Sequence, residues 1–173
     1  MTDSEDTRLV AAAREQFFSC YHMLETLVDI CPDEVWFRRY GDVPFWYQVY
    51  HTIYFVDYWF RADYTAEDFL VMRFDERIPP EFEWEIPADV SLSRAQMQDY
   101  LTRIREKLNC IFSDLSDEAL SRQVFPNQAN MTLLDVIFTQ ARHVMYNLGY
   151  CNGILRAHDL PESDWYAYNE SEE

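Results

Sequence analysis

Glycine is nearly missing from this chain. Three glycines, Gly41, Gly149 and Gly153, serve 173 residues. Hairpins and tight turns draw on glycine for left-handed backbone, so a turn-rich sheet fold is disfavoured and helices are favoured. Basic residues are also scarce: 14 Lys and Arg stand against 31 Asp and Glu, a formal charge of −17. Binding to phosphate backbones needs a basic surface, so the balance argues against a nucleic-acid partner and against an anionic membrane surface. No uncharged apolar run reaches the length of a membrane span. The start, "MTDSEDTR", is acidic and polar and does not read as a signal peptide. The four cysteines, Cys20, Cys31, Cys110 and Cys151, show no CxxC or zinc-ribbon spacing. Cys20, Cys110 and Cys151 sit in helical patterns and read as buried reduced thiols, which suits a cytoplasmic protein.

Aromatics, by contrast, are abundant at 17% of the chain, within a hydrophobic share of 49%. That content argues against disorder as the default, and the length suits a single domain over residues 1–173. Residues 166–173, ending "NESEE", read as a frayed acidic tail.

Periodicity supports four main helices. Val10, Ala13, Phe17, Cys20, Leu24 and Leu27 recur at three and four residues, predicting a helix from Thr7 to Ile30 that Pro32 terminates. "CPDEVWFRRYGDVP" follows as a short 3₁₀ turn and loop, with Trp36 and Phe37 tucked against the bundle. Pro44 opens the second helix, which runs to about Ala62. Asp63 to Ser91 is a long connection. Pro79, Pro80 and Pro87 forbid a continuous helix through it. Ser93 caps the third helix, where Met97, Leu101, Ile104, Leu108, Ile111 and Leu115 form the apolar face and "RIREK" faces water. Residues 116–131 form a loop, with "SDEAL" as a helical turn and "VFPNQAN" as a short hairpin. Thr132 and Asp135 form a weak capping box for the fourth helix. Its seam is Leu134, Ile137, Ala141, Val144, Leu148, Cys151 and Leu155. The expected fold is therefore all-α: a four-helix bundle with a long crossover connection between helices two and three.

Two segments carry the chemistry. "PFWYQVYHTIYFVDYWF" places His51 among nine aromatics, and "TQARHVMYNLGYCNG" places His143 on the fourth helix. An imidazole in apolar surroundings is costly unless its nitrogens find partners. On a wheel of about 100° per residue, Asp57 and Arg61 fall together, about 240° and 280° from His51, and mark the wet stripe of helix two. His51 then points to the core or its rim. On the fourth helix Asn147, Gln140 and Tyr150 lie about 40°, 60° and −20° from His143, beside the apolar seam. His143 and Asn147, one turn apart, have the spacing by which a helix presents two ligands to one ion. A lone His on an apolar face is more often a satisfied core residue, and both readings stand at this point. Gly149 and Gly153 suggest close approach of another backbone or a bound molecule. His22 and His158 read as surface residues. No nucleophile elbow, phosphate loop or nucleotide fingerprint is present.

"ICPDEVWFRRYGDVPFWYQVYHTIYFVDYWF" and "RHVMYNLGYCNGILR" resemble landmarks of the DinB/YfiT-like superfamily. The first matches its Trp…Pro-x-Trp…His pattern, and the second its fourth-helix His-x-x-x-His motif. The resemblance implies a four-helix bundle with a long crossover, often dimeric. It also implies a divalent ion, nickel or zinc, held by three histidines. Relatives include thiol-dependent transferases and isomerases using bacillithiol, mycothiol or glutathione, and DNA-damage-induced proteins. Carried over, the metal ligands are His51, His143 and Asn147, the last standing where the family has histidine.

Two functions follow. One is a divalent-metal-dependent enzyme joining a low-molecular-weight thiol to a small molecule, its pocket lined by Tyr47, Tyr54, Tyr58 and Tyr150. The other is a non-catalytic small-ligand-binding or interaction protein with a vestigial metal site. A homodimer is expected in either case, with no nucleic-acid or membrane partner.

Overall fold

The computed structural model describes residues 8–61, 64, 70–72, 74–81, 86–124 and 131–167. Helix α1 spans Arg8–Ile30 and a one-turn helix α2 spans Asp33–Trp36. A two-stranded antiparallel hairpin follows, β1 (Arg39–Tyr40) and β2 (Val43–Pro44), with Tyr40 paired to Val43. Its turn needs a left-handed residue, and Gly41 supplies it at φ +62°. Then come α3 (Phe45–Trp59), α4 (Arg94–Ser113), the single turn α5 (Asp117–Leu120) and α6 (Leu133–Ala157). Helix α1 packs on α4 and α6, and α3 packs on the same two helices. The fold is thus an all-α four-helix bundle with its long crossover between α3 and α4.

Local chemistry places the helix ends. Pro44 is the N-cap of α3. Ser93 caps α4 in a full capping box with Gln96, and Thr132 does the same for α6 with Asp135. The first turn of α1 borrows its cap from afar: the Asp117 carboxylate accepts from the backbone N–H of Leu9 and Val10. The "SDEAL" turn forms α5. A bridge between Gln123 and Thr132 closes the base of the expected second hairpin, whose tip at 125–130 lies outside the described residues.

Several expectations are corrected. Residues 33–36 form an α-helical turn followed by a hairpin, and Phe37 is 48% exposed while Trp36 is fully buried and donates to the Leu92 carbonyl at 2.7 Å. Helix α3 ends at Trp59, where Phe60 turns extended; Ala62 lies outside the described residues. Of the three cysteines expected to be buried, Cys151 is buried, Cys20 only half-buried and Cys110 exposed; Cys31 is buried as well. Gly149 and Gly153 face open space, with nothing within 4 Å of a Cβ built on either, so no neighbour among the described residues requires them. His22 lies in the body of α1 with its ring 4.2 Å from that of Tyr166, and His158 meets the Tyr40 hydroxyl at 2.9 Å. Of the acidic tail, residues 168–173 lie outside the described residues.

The largest correction concerns Asp57 and Arg61. Neither is on a wet stripe: Asp57 is completely buried and Arg61 is 7% exposed. Asp57 receives Lys107 Nζ at 2.6 Å, the Tyr100 hydroxyl at 2.7 Å and the Val71 backbone N–H at 2.8 Å. Lys107 also donates to the Asp57 carbonyl at 2.7 Å. The segment "RIREK" is therefore not uniformly wet. Lys107 turns inward to Asp57, and Arg105 grips Glu25 of α1 through two hydrogen bonds. One carboxylate thus joins α3, α4 and the crossover. Burying a carboxylate needs this many donors, because an unpaired ion in the interior is far more costly than a paired one.

Lys107→Met leaves that carboxylate buried without its cation and should destabilise the fold by about 3 kcal/mol. Asp57→Asn in the same chain should recover part of the loss, because the amide oxygen still serves Tyr100 and Val71. Urea unfolding of the single and double variants measures both. Gly149→Ala and Gly153→Ala should each stabilise by about 1 kcal/mol, since neither methyl meets an obstacle and alanine is the better helix former.

Candidate functional site

Helix α3 has no exposed residue between Phe45 and Trp59. Its polar side chains therefore find partners on neighbouring elements or, as Thr52 does, on the helix's own backbone. Gln48 Nε2 donates to Asn147 Oδ1 of α6 at 2.5 Å. One turn further, His51 Nε2 and His143 Nε2 stand 3.2 Å apart, their ring centroids 5.1 Å apart. As the residue number rises on α3 it falls on α6, so the two helices run antiparallel and these contacts are successive rungs between them. Continued by one turn, the same register puts Phe55 level with Gln140. The Phe55 ring lies against both imidazoles, at centroid distances of 4.9 and 5.7 Å.

The crossover closes over this seam. The Pro80 carbonyl is 2.5 Å from His51 Nδ1, and the Tyr47 hydroxyl donates to the carbonyls of Pro79 and Glu81 at 2.6 and 2.7 Å. A carbonyl only accepts, so His51 carries its proton on Nδ1 and turns the lone pair of Nε2 toward His143. His143 must then donate from its own Nε2. Its Nδ1 is left as an acceptor, and that atom is buried without a partner among the described residues. Gln140 Oε1, on the same face of α6, is likewise buried and unpartnered, with Gln140 only 3% exposed.

The sequence-derived candidates divide clearly. His51 and His143 meet. Asn147 lies one rung away, 3% exposed, and both ends of its amide are engaged: Oδ1 by Gln48, Nδ2 by the His143 carbonyl at 2.8 Å. Tyr47 reaches the crossover beside His51. Tyr54 is half-buried on the histidine side, packed against Tyr50, Phe55 and Tyr58. Tyr58 sits two turns from His51, with the Arg61 guanidinium 4.5 Å over its ring. Tyr150 is not brought to the pair; it is 45% exposed, and its hydroxyl reaches the Tyr40 carbonyl at 3.5 Å. Gln48, Phe55 and Gln140 were not singled out as site residues from sequence. One signal was present: "QVYH" and "QARH" each set a glutamine one turn before the histidine, on the same helix face.

Burial pushes both imidazoles below the usual histidine range. His51 is lowered by desolvation, against the opposing pull of the Pro80 carbonyl and the Glu81 charge. His143 falls to about 4, from desolvation and the neighbouring His51. Burial and the Glu81 charge move the Tyr47 hydroxyl the other way, up to about 12, so it remains a donor. The unfolded chain takes up the histidine protons near 6.5, whereas the folded protein takes up that of His143 only near 4. Between those values the unfolded state binds more protons. Stability should therefore fall as pH drops from about 6.5 toward about 4, and the His143→Phe variant should show a shallower fall. Urea midpoints for both proteins across this window check the expectation.

The comparisons with known proteins come to one positive finding. The family model described as the DinB superfamily matches residues 16–151, which include α3, the crossover, α4 and all of α6 as far as Cys151. No curated protein and no solved structure matches the chain. The match covers most of the bundle and both histidines. With four long helices and a crossover after the second of them, the chain belongs to the DinB superfamily.

Proposed function

We propose that this chain is a small-molecule-binding member of the superfamily whose third metal-ligand position has become part of a structural amide pair. The observation that carries this reading is the Gln48–Asn147 contact. A third protein ligand for an ion at the histidine pair would have to be the Asn147 oxygen, and that oxygen is held 2.5 Å from Gln48 Nε2. Nor do the described residues contain any group of three His, Cys, Asp or Glu suited to an ion. An amide oxygen is in any case a poor ligand for zinc or nickel beside imidazole. What the seam offers instead is two neutral imidazoles, a half-buried aromatic wall and buried polar atoms without partners. Those are the elements of a recognition site for a small organic molecule.

A second reading has its own support. Two imidazoles bound to one tetrahedral zinc ion at 2.0–2.1 Å stand about 3.3 Å apart, close to the 3.2 Å of His51 and His143. His51 also donates its other ring N–H to a backbone carbonyl, the usual support for a metal-bound imidazole. On this reading His51 and His143 alone would hold a divalent ion. When bound, the ion would supply thiolate activation for transfer from a low-molecular-weight thiol to a small electrophile. His51 would be oriented by Pro80, and Tyr47 would fix the crossover over the site.

Calorimetric titration with zinc and nickel separates the two. The wild-type protein, prepared without a His-tag, should bind either ion at least about 100-fold more weakly than the Asn147→His/Gln48→Ala variant, in which a third imidazole replaces the amide pair. Tight stoichiometric binding by the wild type would establish the second reading and remove the first.

A further inference from the structure

The two polar helices of the seam repeat one arrangement. On α3, Gln48, His51 and Phe55 stand at successive turns; on α6, Gln140, His143 and Asn147 do the same. Because the helices are antiparallel, each glutamine is level with the residue four beyond the other helix's histidine. Gln48 meets Asn147 and is satisfied. By the same register Gln140 falls level with Phe55, whose ring lies against His143 and has no donor to give. The unpartnered oxygen of Gln140 is thus the direct counterpart of a bond made at the other end of the same motif. His143 Nδ1, one turn away on the same face, is the second unpartnered atom.

Both atoms are acceptors. The His51–Pro80 bond forces the His143 proton onto Nε2, leaving Nδ1 with its lone pair, and Gln140 Oε1 can only accept. A buried acceptor left without a donor costs about 1–3 kcal/mol, so two on one face are not a neutral feature of a core. Their surroundings are aromatic. The half-buried Phe55 ring flanks the pair, with Tyr54 and Tyr58 continuing the wall. A flat ring suits such a wall, through offset or edge-to-face contacts. Positive charge does not suit it, because burying an unpaired cation is far more costly than burying a neutral donor, and Gln140 is only 3% exposed.

We infer that Gln140 Oε1 and His143 Nδ1 form a donor-reading notch for a neutral aromatic or heteroaromatic molecule bearing N–H groups, such as an aryl amine. The ligand displaces the Phe55 ring edge, lies against the aromatic wall and gives its N–H donors to the two acceptors. This assignment rests on the small-molecule reading above and supplies its ligand class. It also makes Gln140 the specificity-determining residue of the site.

A series of three probes of similar shape tests it: aniline, N-methylaniline and N,N-dimethylaniline, all neutral at mildly alkaline pH. They offer two, one and no N–H donors while growing more apolar. Binding is followed by the ¹⁵N resonances of the labelled histidines and by calorimetry. Aniline should bind about tenfold tighter than the dimethyl compound, against the trend that apolarity alone would give. It should also move the His143 Nδ1 resonance toward a hydrogen-bonded position. Gln140→Leu should erase most of the discrimination. So should Phe55→Asn, which supplies Gln140 with an internal donor and leaves the glutamine in place. Equal affinity for all three probes, with histidine shifts, would overturn the donor notch and leave a plain apolar small-molecule site standing. No histidine shift with any probe would count against both. A His143 Nδ1 already hydrogen-bonded in the free protein, or full discrimination retained by Gln140→Leu, would overturn the assignment of these two atoms.

Discussion

A helix with no exposed residue must place every polar side chain against a neighbour, and α3 is that helix. Besides its tyrosine hydroxyls, four buried or half-buried polar side chains show how the rest of the bundle is tied together. Gln48 reaches α6 through Asn147. Thr52 turns back on the Gln48 carbonyl at 2.9 Å. His51 takes a carbonyl from the crossover and a ring nitrogen from α6. Asp57 takes a cation and a hydroxyl from α4 and an N–H from the crossover. Each such bond adds only about 1 kcal/mol net, but losing one partner exposes the full desolvation cost of the other. The polar contacts of α3 therefore select one arrangement of α4, α6 and the crossover among the many that would bury similar apolar area.

The same constraint explains which parts of the fold were legible in the sequence. Helix starts were legible because capping is local: Ser93 with Gln96 and Thr132 with Asp135 each form their bonds within four residues. Apolar seams were legible because a period of three and four reports one face toward one core. The burial of Asp57 was not. A helical wheel gives the angle between side chains but not what covers each angle, and α3 is enclosed by α4 on the flank that its charges suggested was wet. The inward turn of Lys107 was hidden for the same reason, since its partner lies 50 residues away. The glycines misled in the opposite direction. Their spacing implies close approach, yet both face outward from the bundle.

At the site, the meeting of His51 and His143 was legible because an imidazole in an aromatic helix requires a partner, and the resemblance named one. The amides were harder. Glutamine and asparagine are ordinary on helix surfaces, and nothing in their identity marks them as buried. The repeated glutamine–histidine spacing becomes informative only once the antiparallel register is known. Register decides that Gln48 faces an amide and Gln140 falls level with a ring, and register is a property of two helices joined by a long crossover.

That register also bears on what Asn147 means. At the position where the resemblance implies histidine, an isolated asparagine would simply be a weaker ligand, its oxygen free to turn toward an ion. Here the amide is used at both ends, and Gln48 is the donor that fixes its orientation. Freeing the oxygen for an ion would leave Gln48 Nε2 buried without an acceptor, so the ion would have to offset that cost before gaining a weak bond. The departure from the pattern is therefore a coupled pair of residues on two helices, and undoing it takes two substitutions. Meanwhile the imidazoles keep the spacing and the carbonyl support that an ion would use, with His51 Nδ1 bonded to Pro80 and His143 Nδ1 unpartnered among the described residues. A site built for an ion would place its unmet valence between the two Nε2 atoms. Here the unpartnered acceptors are Gln140 Oε1 and His143 Nδ1, on the far side of the ring, and on the small-molecule reading proposed above an N–H donor is what complements them.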